Sequence, residues 1–340
     1  MRYFTGLDLH SNNTYLGILD EQGTKVYKAK LPNHLPMILR ALQPYREEMV
    51  GAVVESTFNW YWLVDGLMEA GYQLHLANPA AIKQYEGMKH TNDYYDAFYL
   101  ADLLRLGLLK GKEGHIYPKK ERAIRDLLRK RLMLVQQRTS HILSFQSLYN
   151  REKGCKYSGN ETKRLDEEKI ESLFADQYVH LSAQANISLI HSLTSKIKEI
   201  ESAVLACMRV VPEFGKLLTI SGVGDILALT ISLETGDIGR FAKVGNYSSY
   251  CRLVSSQRLS NEKKKGENNR KNGNKYLAWA FIEAANFAKR FCPSAKSFYN
   301  RKLARTNKIV ATKALAHKLA RAAYFVMRDR VEFNPKKAFG

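Results

Sequence analysis

Apolar and polar positions alternate or cluster in three short runs near the start of the chain, residues 3–9, 14–19 and 24–30. Their aromatic and β-branched content predicts strands, and Asp20-Glu21-Gln22-Gly23 supplies a turn between the last two. An antiparallel meander follows. The pattern then predicts a helix over residues 34–42, an apolar strand closing on Val53-Val54-Glu55 and a helix over 60–70. A strand over 73–77 and a helix over 94–109 complete this part.

Three antiparallel strands followed by alternating helices and strands is the order of an α/β RNase H-like domain. Beyond Tyr117-Pro118 the pattern becomes helical. Ile124, Leu128, Val135, Ile142 and Tyr149 keep one face of a long segment apolar, and residues 151–175 read as a polar excursion. Ile190, Leu193, Ile197, Ile200, Val204 and Cys207 then recur at alternating spacings of three and four, a heptad seam. Two such helices form either a hairpin within the chain or a contact between protomers. Ile220-Ser221-Gly222-Val223-Gly224, between two apolar stretches, has the pattern of a helix-hairpin-helix turn, in which Gly222 and Gly224 let backbone N–H groups approach a phosphate. Residues 275–290 and 308–328 read as helices, with a polar loop over 266–274.

Composition narrows the class. The 340 residues carry 53 Lys+Arg against 33 Asp+Glu, a formal net charge of +20. No apolar run reaches the roughly 18–20 residues of a membrane span and the first ten residues lack a signal-peptide pattern. The four cysteines have no Cys-x-x-Cys spacing, which argues against a zinc ribbon or a disulfide framework and fits a reducing cytoplasm. The charge is uneven: residues 1–100 hold 8 Lys+Arg and 11 Asp+Glu, residues 251–340 hold 22 and 5. Such a density repels itself without a polyanion. Nucleic acid is the expected partner, with Tyr276, Trp279, Phe287, Phe291, Phe298, Tyr299, Tyr324 and Phe325 interleaved among the cations. Candidate phosphate contacts are Lys263, Lys264, Lys265, Arg270, Lys271, Lys275, Lys289, Arg290, Lys313, Lys318 and Arg321.

The acidic residues carry the chemistry. Asp8 stands inside an apolar strand, where an unpaired carboxylate is costly to desolvate and calls for a cation. Glu55 closes the other strongly apolar strand. Asp93 and Asp96, three apart, share one helix face, and each precedes by four a member of the stripe Ala97, Leu100, Ala101, Leu104, Leu108. Both therefore turn toward the sheet. Four carboxylates converging this way suit Mg²⁺ or Mn²⁺. Two such ions would clamp the attacking and leaving oxygens of a phosphodiester. An actin-like sugar kinase also begins with an acidic residue before a meander, but here Leu9-His10-Ser11 provides no phosphate-cradling glycine.

Asp8 in the first strand, Glu55-Ser56-Thr57, and Asp93-x-x-Asp96-Ala97 opening a helix resemble the DEDD transposases of insertion-sequence family 110. The run 218–224 followed by Glu234-x-Gly236-Asp237-x-x-Arg240-Phe241 resembles that family's second conserved block. The resemblance implies a RuvC-like DEDD catalytic domain over residues 1–118, a helical coiled-coil linker over 119–210 and an all-α C-terminal transposase domain over 211–340. It further implies a serine nucleophile at Ser260, with Ser255 and Ser256 as neighbouring alternatives, attacking DNA beside Mg²⁺ held by the acids of a neighbouring domain or protomer. A structured guide RNA and a homo-oligomer, dimer or tetramer, are implied as well. Phe58 and Asn261 stand where the family often has glycine, and Thr91-Asn92 where it often has Lys-Thr. Two rivals remain: a RuvC-like nuclease or junction resolvase that uses water, and a non-enzymatic nucleic-acid-binding protein.

Overall fold

A computed structural model describes residues 1–79, 81–82, 92–206, 214–256, 258–266 and 272–340. It divides into two compact units, Met1–Lys119 and Lys120–Gly340.

In the first unit β1 (Tyr3–Leu9), β2 (Asn13–Asp20) and β3 (Lys25–Pro32) form the expected meander. The helix α1 (Leu35–Leu42), β4 (Met49–Glu55), α2 (Tyr61–Glu69), β5 (Leu74–Ala77) and α3 (Asp93–Arg105) follow. The sheet order is β3-β2-β1-β4-β5, antiparallel across the meander and parallel across β1, β4 and β5. This is an RNase H-like arrangement. Period-2 alternation divides β1 between two cores. Leu7 and Leu9 join Leu16, Ile18 and Val54 against Ile38, Leu42, Leu63 and Leu67 of α1 and α2. Gly6 and Asp8 face the other way, toward α3.

That opposite face has a specific seat. Gly6 and Gly17 are register partners on β1 and β2. A Cβ at Gly6 would overlap the Ala97 carbonyl oxygen, and one at Gly17 would stand 2.9 Å from the Phe98 ring. The helix lies directly on this bare strip of backbone. It ends four residues earlier than the sequence predicts. Gly107, at φ 67, lets the Leu108 N–H reach the Leu103 carbonyl and its own N–H reach that of Leu104. This is a Schellman stop. The buried stripe is accordingly Ala97, Phe98, Leu100, Ala101 and Leu103, and Leu108 is half exposed.

The second unit begins with α4 (Lys119–Lys153). The expected polar excursion contains two short capped helices, α5 (Gly159–Thr162) and α6 (Glu167–Leu173), because Ser158 and Asp166 cap them and Leu165, Ile170 and Phe174 are buried under the hairpin end. The return helix α7 (Gln177–Ala206) runs antiparallel to α4 within the chain: Arg131 bonds Glu201, Arg138 bonds Thr194 and His141 meets Asn186. Of the heptad positions, Ile190, Ile197 and Val204 are buried, and Cys207 lies outside the described residues. These buried positions find their partners inside the chain.

The remaining helices are α8 (Phe214–Leu217), α9 (Asp225–Thr235), α10 (Val244–Tyr250), α11 (Lys275–Phe291), α12 (Pro293–Leu303), α13 (Lys308–Asp329) and α14 (Pro335–Phe339). Ala280, Ala284 and Ala288 of α11 and Ala316, Ala320 and Ala323 of α13 are all buried in one core, where small side chains let the helices pack closely. The all-α expectation fails at one place. Strands β6 (Arg258–Ser260) and β7 (Lys263–Gly266) form a two-residue hairpin, because Asn261 and Glu262, at φ 51 and 59, both adopt the left-handed conformation that closes a tight turn.

Candidate active site

Register assembles the acidic residues. The parallel pairing of Leu7 with Val54 carries on to end β1 and β4 with Asp8 beside Glu55, on the face that bears Gly6 and Val53. Val53 packs with Leu100 and Leu103 of α3, so this face lies under that helix. Asn92 caps α3 by accepting from the Tyr95 N–H, which places Asp93 and Asp96 in its first turn. A helix N-terminus favours carboxylates there.

Asp8 is 6% exposed. His10 lies 3.0 Å from the Asp8 Oδ2 and 3.5 Å from the Asp93 Oδ1. Ligand atoms of Asp8, His10 and Asp93 all fall within 4.8 Å of one another. Burial, reinforced by Asp96 and Asp93, raises the carboxyl pKa of Asp8 despite His10. Burial, then Asp8 and Asp96, raises that of Glu55. Asp8 thus feels Asp93 and Asp96, Glu55 feels Asp8 and Asp96, and the Asp96 Oδ1 is buried with no hydrogen-bond partner among the described residues. A dry oxygen without a donor, beside carboxylates that repel one another, fits a divalent cation as its missing partner. Glu55 and Asp96 lie outside the tightest trio, and His10 is the residue that sequence reasoning passed over. Its signal was its position two residues after Asp8, at the end of the same strand.

Ser260 sits at the tip of the β6–β7 hairpin, paired with Lys263 and exposed. No described residue hydrogen-bonds its hydroxyl. Lys263, Lys264 and Lys265 lie in β7, with Lys263 and Lys265 exposed, whereas Arg270 and Lys271 lie outside the described residues. The base of this arm is anchored. The Asn274 N–H donates to the Tyr250 carbonyl at 2.6 Å and Arg252 donates to the Gly273 carbonyl at 2.9 Å. Asn274 caps α11 through its side-chain oxygen and gives its amide N–H to Glu234 at 2.7 Å. Glu234, 2% exposed at the end of α9, also accepts from Arg125 at 3.1 Å and from Arg129 at 2.5 and 2.8 Å. These cations and hydrogen bonds overcome the cost of burial and lower its pKa. The sequence offered one hint of this node, an acid near the end of a helix rich in Leu and Ile.

The glycine turn has a different geometry from the expected one. At Gly222, φ 91, a Cβ would overlap the Ala284 carbonyl, so its glycine serves the close packing of α11. Gly224 caps α9 with open space around it. Lys275, Arg290 and Arg321 are exposed, and Lys313 and Lys318 half-buried. Lys289 donates to Asn286 and lies 5.0 Å from the Tyr299 ring centre. Of the interleaved aromatics, Phe287, Phe291 and Phe325 are exposed, whereas Tyr324 is a core residue whose hydroxyl donates to the Phe241 carbonyl.

Comparison with known proteins agrees with this order of parts. Residues 5–151 match the DEDD transposase model of IS110 type, and residues 215–300 match the model described as the transposase IS116/IS110/IS902 family. The chain belongs to the IS110-type transposases. It is thus a DNA transposase or recombinase, and DNA is its substrate class. It is also similar to a probable family 20 transposase of Pseudomonas aeruginosa, 24% identical over 292 residues, covering 81% of this chain and 82% of that protein. Among the described residues no helix is long and apolar enough to cross a membrane.

Proposed function

We propose that this transposase cuts and rejoins DNA strands at Asp8, Glu55, Asp93 and Asp96, with Ser260 as the attacking group. The observation that carries this reading is the gathering of these acids around an unpartnered, buried oxygen of Asp96. Asp8, Glu55, Asp93 and Asp96 would hold Mg²⁺ or Mn²⁺, with His10 on its border; such an ion supplies positive charge against a phosphate in a dry site. Ser260 Oγ forms a bond to phosphorus as the phosphorus–O3′ bond breaks. The serine proton is lost and the departing 3′ oxygen gains one. A covalent serine–phosphodiester conserves the bond for rejoining. The exposed tip of a two-residue hairpin suits a hydroxyl that must reach into a DNA backbone. In this reading a structured RNA selects the DNA, held with it by the basic residues of the second unit, and the chain works as an oligomer. The division into catalytic, linker and C-terminal parts at residues 118 and 210 belongs to the same proposal.

Denaturing gels with labelled element-end DNA test it. A protein–DNA adduct that Ser260→Ala abolishes and Ser255→Ala retains is expected, together with loss of all cleavage in Asp8→Ala. Cleavage without an adduct would assign the attack to water and make Ser260 idle.

A further inference from the structure

The first hundred residues are acidic by count, yet three of their eight cations occupy one strand, Lys25, Lys28 and Lys30 of β3. This strand is an edge of the five-stranded sheet. Plain alternation would send Lys25 to the opposite face from the other two. The register prevents it. Tyr15, Gly17 and Leu19 of β2 pair with Lys30, Lys28 and Lys25, and an irregularity after Ile18 leaves Val26 as an extra residue. A bulge of one residue reverses the alternation, so all three lysines share the face of Tyr15 and Gly17, under α3.

That face is the face of the acids. Lys30 pairs with Tyr15, Tyr15 with Asp8, and Asp8 ends beside Glu55, so one row crosses four strands from cation to carboxylate. With neighbouring strands ~4.8 Å apart, Lys30 starts about 10 Å from Asp8. Aromatic rings lie under each ammonium: Lys25 is 4.8 Å from the Phe98 centre and 5.9 Å from Tyr95, Lys28 is 5.4 Å from Tyr94, and Lys30 is 5.2 Å from Tyr15. A cavity of 360 Å³ opens between Lys25, Lys28, Asn92, Tyr94 and Tyr95, over Phe98. It sits at the small end of the ~300–1,000 Å³ range of ligand sites, a size for one nucleoside rather than a larger ligand.

We propose that this face of β3 and the start of α3 form a track that leads a DNA strand, single-stranded, to the acid site. Lys25, Lys28 and Lys30 hold successive phosphates, and Tyr94 and Tyr95 stack bases. Ammonium groups beside the exposed Tyr95 ring and the half-buried Tyr94 ring are the elements of sequence-tolerant single-strand binding. Edge lysines also guard sheets against edge-to-edge pairing. Guarding asks only for charge along the strand; it does not require a bulge that gathers three charges on the catalytic face. The proposal rests on the reading of the acids as the cleavage site, since the row ends there.

The test uses the full chain in EDTA, which withholds the divalent ion the proposed cleavage requires, so the track is read apart from the chemistry. A single-stranded oligodeoxynucleotide carrying iodouracil is irradiated on the protein and the crosslinked peptides are identified by mass spectrometry. Crosslinks to Tyr94 or Tyr95 are expected. In the triple variant Lys25→Gln, Lys28→Gln, Lys30→Gln they disappear, and the slope of log K against log salt falls by about 2, three contacts at about 0.7 each. Crosslinks confined to residues after 119, or formed by an RNA oligonucleotide and not by DNA, would overturn the proposal. So would a triple variant that self-associates in light scattering while its salt slope is unchanged, which would make the lysines edge guards. Loss of cleavage in Asp8→Ala with crosslinks retained separates a failed track from a failed acid site.

Discussion

Asp8 is buried and Glu55 half-buried, and both pay a desolvation cost that a bound cation would relieve. Their raised pKa values mean that, without metal, ionisation of these groups opposes folding. Asp8→Asn is therefore expected to raise the melting temperature of the metal-free protein, by about 2–4 °C for each kcal/mol of repulsion removed. The same change should abolish both DNA cleavage and the further stabilisation that Mg²⁺ or Mn²⁺ gives the native protein in a thermal melt. An unchanged or lowered melting temperature would show that Asp8 holds the strand together and that its charge is not under strain.

Among the elements, α3 decides whether a site exists at all. Its first turn reaches Asp8 because the helix rests on Gly6 and Gly17 with no side chain between. Gly6→Ala sets a methyl group against the Ala97 carbonyl, backbone against backbone, where no flexible side chain can give way. Overpacking of this kind costs about 1–3 kcal/mol. The expected result is a folded, less stable protein with loss of cleavage and of metal-induced stabilisation, while DNA retention, which the proposed function gives mainly to the basic second unit, persists. Full cleavage in Gly6→Ala would show that the helix seat does not set the acid geometry. The β6–β7 hairpin works by a different local rule. Asparagine tolerates the left-handed position after Ser260 next best to glycine, which accounts for the departure at Asn261.

At the scale of the whole chain, the two units respond to acid in opposite senses. In the first, the folded pKa values of Asp8 and Glu55 lie above their unfolded values, so stability is gained as pH falls through the folded values, complete below about 4. In the second, Glu234 is held below its unfolded value, so its contribution is full above about 4.3 and is lost as pH falls through the folded one. Metal-free melts should therefore show the transition of the first unit rising as pH falls from neutral toward about 4, and that of the second falling as pH drops below about 4.3. Tryptophan emission can assign them, since Trp60 and Trp62 lie in the first unit and Trp279 in the second. Glu234→Gln should flatten the acid response of the second and lower its stability at pH 7 by about 3 kcal/mol, because two arginines lose a buried partner.

Local pattern and turn chemistry were enough to place the meander, the strand ending in Glu55, and the helices beginning at Lys275 and Lys308. Each depends on the period of its own side chains. Asp8 and Glu55 drew notice for a similar reason: a carboxylate in an apolar strand marks itself through the cost of its surroundings, while Asp93 and Asp96 stood out by sharing one helix face. The sequence was silent wherever the deciding neighbour is remote along the chain. His10 between Asp8 and Asp93, the partners of Glu234 and the helix against Gly222 all follow from packing across many residues. The three lysines of β3 gather on one face through a bulge that no alternation rule foresees. Periodicity says which side of its own element a residue occupies; only register and helix seating say what it meets there.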